Sequence, residues 1–243
     1  MQRHFDDQIQ ELLQKLVLMG SMADTMISLA LKCLVERDRQ YVAQVKAKEV
    51  EVNALQIDID DRCVKLTALQ QPVGGDVRFL FMASRIANEL ERIADQAINI
   101  CQSAEYVLQA APLKPLIDIP IMADVAQKMV RESIDALVKR DCTLADKVLE
   151  EEDKVDAFRN QIFRELLTYM MADPGTISRA LSLILISRNL ERVGDHATNI
   201  AEEVIYLVKG RDVRHQDVHH RMGLSVPPGQ SGTTDEKKTE DSK

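Results

Sequence analysis

A chain of 243 residues is long enough for one large domain or two small ones. Hydrophobic residues make up 45 % and aromatics only 4 %, with no tryptophan. Aliphatic side chains must therefore fill the core, which suits packed helices better than sheets. Acidic residues outnumber basic ones 39 to 31, which argues against nucleic acid as a partner, because neutralising phosphates needs a basic surface.

Prolines at 72, 112, 115 and 174 separate long stretches that are periodic at helical spacing. Helices are predicted over 3–36, 39–70 and 76–109; a short linker, APLKP, leads to helices over 116–140, 142–172 and 176–209. Gly210 follows the last as a C-cap. The remainder contains His215, His219 and His220, a Pro-Pro-Gly turn and a Ser/Thr/Asp/Glu/Lys-rich end, too polar to order itself by burial.

The second half repeats the first. Leu34-Val35-Glu36-Arg37-Asp38 returns as Leu137-Val138-Lys139-Arg140-Asp141, 103 residues on. Leu90-Glu91-Arg92-Ile93-Ala94-Asp95 returns as Leu190-Glu191-Arg192-Val193-Gly194-Asp195, 100 residues on, the difference being absorbed in a turn. The expected fold is all-α, with six long antiparallel helices in two tandem, pseudo-symmetric three-helix bundles. The expected divisions are 1–111, 112–210 and a disordered tail over 211–243.

Cys33, Cys63, Cys101 and Cys142 are widely spaced and form no C-x-x-C pair, which fits buried free thiols in a reducing compartment. The N-terminus lacks the pattern of a signal peptide. The longest apolar run, LSLILIS from Leu181, is too short to cross a bilayer. A cytoplasmic protein is expected.

Two apolar seams mark the core. One runs through Ile86, Leu90, Ile93, Ala97, Ile100, Ala104 and Val107, the other through Leu183, Ile186, Leu190, Val193, Ala197, Ile200, Val204 and Leu207. Glu91 and Asp95, and equally Glu191 and Asp195, point well away from these seams. Glu49, Asn53, Gln56 and Asp60 line one face of the second helix. Glu152 and Asp156 stand at the equivalents of Glu49 and Asn53 on the fifth, where Arg159 and Phe163 interrupt the line. Carboxylates one turn apart repel unless something compensates. Two readings stand side by side: a cation held between facing stripes, or solvated faces neutralised by Arg92 and Arg192. Oxygen-only ligands favour hard ions such as Mg²⁺, Mn²⁺, Ca²⁺ or iron.

Other candidates are weaker. His196 beside Asp195 has Gln96 as its counterpart. Gly74-Gly75 lacks the following G-K-[ST] of a phosphate loop and reads as a turn. No nucleophile elbow, core E-x-x-H pair or Cys/His arrangement suggests catalysis.

ELERIADQAINI (Glu89–Ile100) and NLERVGDHATNI (Asn189–Ile200) resemble the paired signature of the PhoU family of phosphate-uptake regulators. The likeness includes QPVGGDVR, LLTYMMADP and IYLVKGRDVRH, and extends to about His215. It implies two three-helix bundles, a homodimer, and a non-enzymatic cytoplasmic negative regulator linking the phosphate ABC transporter to a sensor histidine kinase. Such a protein reaches the membrane through partners alone. It also implies divalent or trivalent metal ions (iron, Mg, Mn or Zn) held by Glu49, Glu91 and Asp95 in the first repeat and by Glu152, Asp156, Glu191 and Asp195 in the second. Because Asp156 replaces Asn53, the second site is expected to hold metal more tightly. Ala94 in place of Gly194 is expected to crowd the first. The competing classes are a di-metal carboxylate enzyme and a purely structural helical dimer.

Overall fold

The computed structural model describes residues 2–211, with side chains from residue 5 onward. Six helices follow in order: α1 (Gln2–Val35), α2 (Gln40–Gln70), α3 (Gly75–Val107), α4 (Asp118–Lys139), α5 (Cys142–Ala172) and α6 (Ile177–Lys209). A single 3₁₀ turn, Pro174–Thr176, introduces α6. The largest departure from expectation at a helix start is at α4, which begins at Asp118 rather than 116.

The α1–α2 turn repeats in the α4–α5 turn. Arg37 and its counterpart Arg140 both take left-handed backbone angles, φ 57° and 51°. The Asp that follows each accepts backbone N–H donors: Asp38 from Gln40, and Asp141 from Thr143 and Leu144. Such caps satisfy amides that the next helix leaves unpaired. Arg37 also donates to the Leu108 and Ala110 carbonyls, pinning the α1–α2 turn to the end of α3. At the far end Gly210 closes α6 with φ 65°, its N–H donating to the Tyr206 carbonyl.

Both seams are buried throughout, from Ile86 to Val107 on α3 and from Leu183 to Leu207 on α6. α3 packs on α6 more extensively than any other pair, and α1 packs on α4, so these four helices form a central layer. α2 lies outside against α1 and α3, and α5 outside against α4 and α6. The two repeats thus share one core and form a single compact unit. The expected tail, with His215, His219 and His220, lies outside the described residues.

One expectation needs correction. Over Phe5–Val35, α1 is long and apolar enough to cross a membrane, with a mean hydropathy of 1.4 in its most apolar window. Scattered polar residues such as Ser21 and Asp24 kept it from standing out as an unbroken apolar run. Leu12, Leu16, Met19, Ala23, Met26 and Ile27 are fully buried here, so its apolarity serves the shared core.

Candidate functional site

α2 turns its polar face toward α3, as its spacing requires. Glu49, Asn53, Gln56 and Asp60 are all half-buried, and the Ser84 hydroxyl of α3 donates to Asp60. Glu91 lies on the flank of α3 that meets this face, its side chain 20 % exposed. Burial pushes its carboxyl up from the ordinary value, and the charges of Asp95 and Glu49 push the same way, while Arg92 opposes them. Arg92 stands off, at 3.7 Å from Glu91 and 3.9 Å from Asp95. The Asn53 Oδ1 is buried and has no hydrogen-bond partner. A buried acceptor left unpaired beside crowded carboxylates is a costly arrangement that a cation would relieve.

In the second repeat Asp156, Glu191 and Asp195 influence one another in the same manner. Burial raises the Glu191 carboxyl; Arg159 opposes this, and Asp195 and Asp156 add to it. Asp195 is likewise raised by burial and by Asp156, against His196 and Arg159. Glu152 is half-buried one turn before Asp156. The structure therefore brings Glu49 to Glu91 and Asp95, and Asp156 to Glu191 and Asp195. Among the described residues no group of three or more His, Cys, Asp or Glu side chains is arranged to hold a metal ion. The donors fit a hard cation by their chemistry: oxygen ligands only, mutually repelling, with one orphaned amide oxygen. In the second repeat a guanidinium already sits among them. Arg159 Nε lies 3.3 Å from Glu191 Oε1, and Nη2 lies 3.9 Å from Asp156 Oδ1.

Three features were not read from the sequence. Glu89 on α3 accepts from Asn199 at 3.0 Å and faces His196 Nδ1 at 2.8 Å, both on α6. Burial alone would raise the Glu89 carboxyl, but these partners hold it below the usual range. His196 thus belongs to a tie between the repeats. Arg85 on α3 reaches buried Glu203 on α6 at 2.9 Å. Neither tie has a repeat-equivalent copy, so duplication could not reveal it. The third is the reach of Arg159. Ala94 and Gly194 do not crowd a site: both are buried, and a Cβ on Gly194 would meet Val155 at 3.5 Å and Met129 at 3.7 Å, in ordinary core contact.

Comparison with known proteins decides the lineage. The PhoU domain family model matches twice, over residues 16–104 and 119–204, one match per bundle. The chain belongs to the PhoU family. It is 36 % identical over 225 residues to the phosphate-specific transport system accessory protein PhoU homolog of Pseudomonas putida, covering 92 % of this chain and 88 % of that one. The PhoU accessory protein of Escherichia coli K12 is 32 % identical over 213 residues, covering 87 % and 88 %. PhoU from Pseudomonas aeruginosa has a crystal structure that superposes with a TM-score of 0.82 at 35 % identity, covering 85 % of this chain and all of that one. A Streptococcus pneumoniae PhoU structure, at 24 % identity and TM-score 0.79, shares the fold. These PhoU relatives are named as accessory or regulatory proteins of phosphate transport.

Proposed function

We propose that this chain is a cytoplasmic, metal-binding negative regulator of the phosphate-starvation response, coupling a phosphate ABC transporter to a sensor histidine kinase as a homodimer. The observation that carries this reading is the family match on both bundles, with relatives named as transport-system accessory proteins across most of the chain. The Glu49/Glu91/Asp95 and Glu152/Asp156/Glu191/Asp195 groups would hold the metal. Bound there, a cation would supply positive charge between helices and stiffen each bundle.

Partner docking is supported by apolar surface left outside the core. A groove of about 570 Å³ between α2 and α3 is lined by Cys63, Val64, Ala68, Leu80 and Phe81. Ile57, Val64 and Phe81 around it are each more than two-thirds exposed. The second repeat exposes Phe163, Leu167, Met171, Leu181 and Leu185. Exposed apolar clusters of this kind mark interaction surfaces.

The test is genetic. Deleting the gene should leave phosphate-responsive genes on in phosphate-rich medium, and the wild-type chain should restore repression. Unchanged repression in the deletion strain would sink the regulator reading.

A further inference from the structure

The two acidic groups differ in their cations more than in their carboxylates. Arg159, Arg188 and Arg192 line one cavity of about 540 Å³ together with Glu191 and Asp195. At the equivalent positions of the first repeat stand Gln56, Asn88 and Arg92. In the second repeat three arginines therefore share a cavity with Glu191 and Asp195, whereas in the first Arg92 is the one of these three positions that carries a cation, beside Glu91 and Asp95. The Arg159 Nε is buried and lies 3.3 Å from Glu191, yet it makes no hydrogen bond of acceptable geometry. Charge attraction alone holds this end of the guanidinium, and the adjoining cavity leaves it room to withdraw.

We propose that Arg159 is a tethered counter-cation that competes with metal for the second-repeat carboxylates, so that the first repeat binds a hard divalent cation more tightly. This rests on the reading that these carboxylates are metal ligands. In the first repeat a cation meets repelling carboxylates and the unpaired Asn53 oxygen, and the one guanidinium beside them, Arg92, already stands off at 3.7 Å from Glu91 and 3.9 Å from Asp95. In the second it must displace a resident positive charge, and the other arginines of the cavity repel it as it arrives. The order is the reverse of that given by counting carboxylates, because ligand charge raises affinity only where it is not already neutralised. The second site is then the one that fills late, as metal becomes abundant, and the arginine holds its bundle together meanwhile.

The experiment is titration of the full metal-free chain with Mn²⁺, followed by electron paramagnetic resonance of the free ion and by calorimetry. Asp95→Asn and Asp195→Asn assign the two binding phases. In the wild type the tighter phase should disappear with Asp95→Asn and the weaker with Asp195→Asn. Arg159→Gln should tighten the second phase by at least about tenfold and leave the first unchanged. The reciprocal Gln56→Arg should weaken the first by a similar factor, which keeps the test informative if either variant folds poorly. A second phase that does not tighten in Arg159→Gln, or that is tighter than the first in the wild type, overturns the proposal with the metal reading intact. Absence of Mn²⁺ binding in every variant overturns both.

Discussion

Glu91 shows how a single carboxylate can be spoiled for stability and suited to a ligand. Its neighbours on the same helix and on α2 are acidic, it is largely buried, and its nearest cation stands off at 3.7 Å. Glu91→Gln keeps the shape and removes the charge. In chelator-treated protein it should raise stability by about 0.2–0.5 kcal/mol, the scale of a relieved like-charge pair one turn apart. The same substitution should reduce the gain in melting temperature that added metal gives the chain. The pH dependence follows from the same groups. Glu91, Glu191 and Asp195 have raised carboxyl pKa values, so the folded chain holds more protons than the unfolded one between the ordinary and the raised values. Metal-free stability therefore falls as pH rises through that window. Asp58, held low first by Lys15, and Glu151, held low first by Lys154, act in the opposite sense. Their contribution is present above the ordinary carboxylate range and is lost as pH falls through their depressed values. Urea midpoints measured against pH should therefore pass through a maximum on the acid side of neutrality, and Glu91→Gln should flatten its alkaline slope. A midpoint that climbs steadily toward pH 8 would show that carboxylate repulsion does not dominate.

At the scale of the element, two helix-interior glycines with opposite surroundings separate propensity from packing. Gly20 brings α1 against α4 so closely that a Cβ would lie 2.9 Å from Ile134 Cγ1. Gly194 has room for a methyl. Gly194→Ala should raise stability by up to about 1 kcal/mol, the difference in helix propensity. Gly20→Leu should lower it by about 1–3 kcal/mol or more through overpacking. Equilibrium denaturation distinguishes the pair, and two shifts of the same sign would contradict the packing described. The helices themselves were legible because proline punctuation and 3.6-residue periodicity agree along nearly the whole chain. The seams from Ile86 to Val107 and from Leu183 to Leu207 follow from the same pattern. What stayed hidden is what depends on which helix faces which. Glu203 on α6 gives no sign of Arg85, 118 residues earlier, because their pairing belongs to the α3–α6 interface and occurs in one repeat's register only. Arg159 could be seen to interrupt an acidic line, but its reach toward Glu191 needed the distance between α5 and α6.

Across the whole molecule, duplication in sequence does not mean independence in folding. The α3–α6 and α1–α4 contacts join the repeats, and polar ties run across them. Arg78 on α3 donates to the Leu207 carbonyl and stacks over the Tyr206 ring, 5.6 Å from its centroid. Asp24 on α1 meets Arg131 and Gln127 on α4. Thermal and urea unfolding should therefore show one transition that coincides by helix signal and by tertiary probes. Residues 1–111 expressed alone would expose the faces of α3 and α1 that pack on α6 and α4, and should aggregate or bind a hydrophobic dye. A monomeric, cooperatively folding half would show that the repeats are separate domains.

The metal-binding role proposed for the paired carboxylate stripes is tested most directly by metal content per chain. It should be measured by mass spectrometry on the wild type, on Asp95→Ala/Asp195→Ala, and on a chain ending at Gly210. The double variant should lose its metal while remaining helical, and the shortened chain should keep it. Metal retained by the double variant and lost on removing the residues beyond Gly210 would place the binding in the histidine-containing segment and contradict the account.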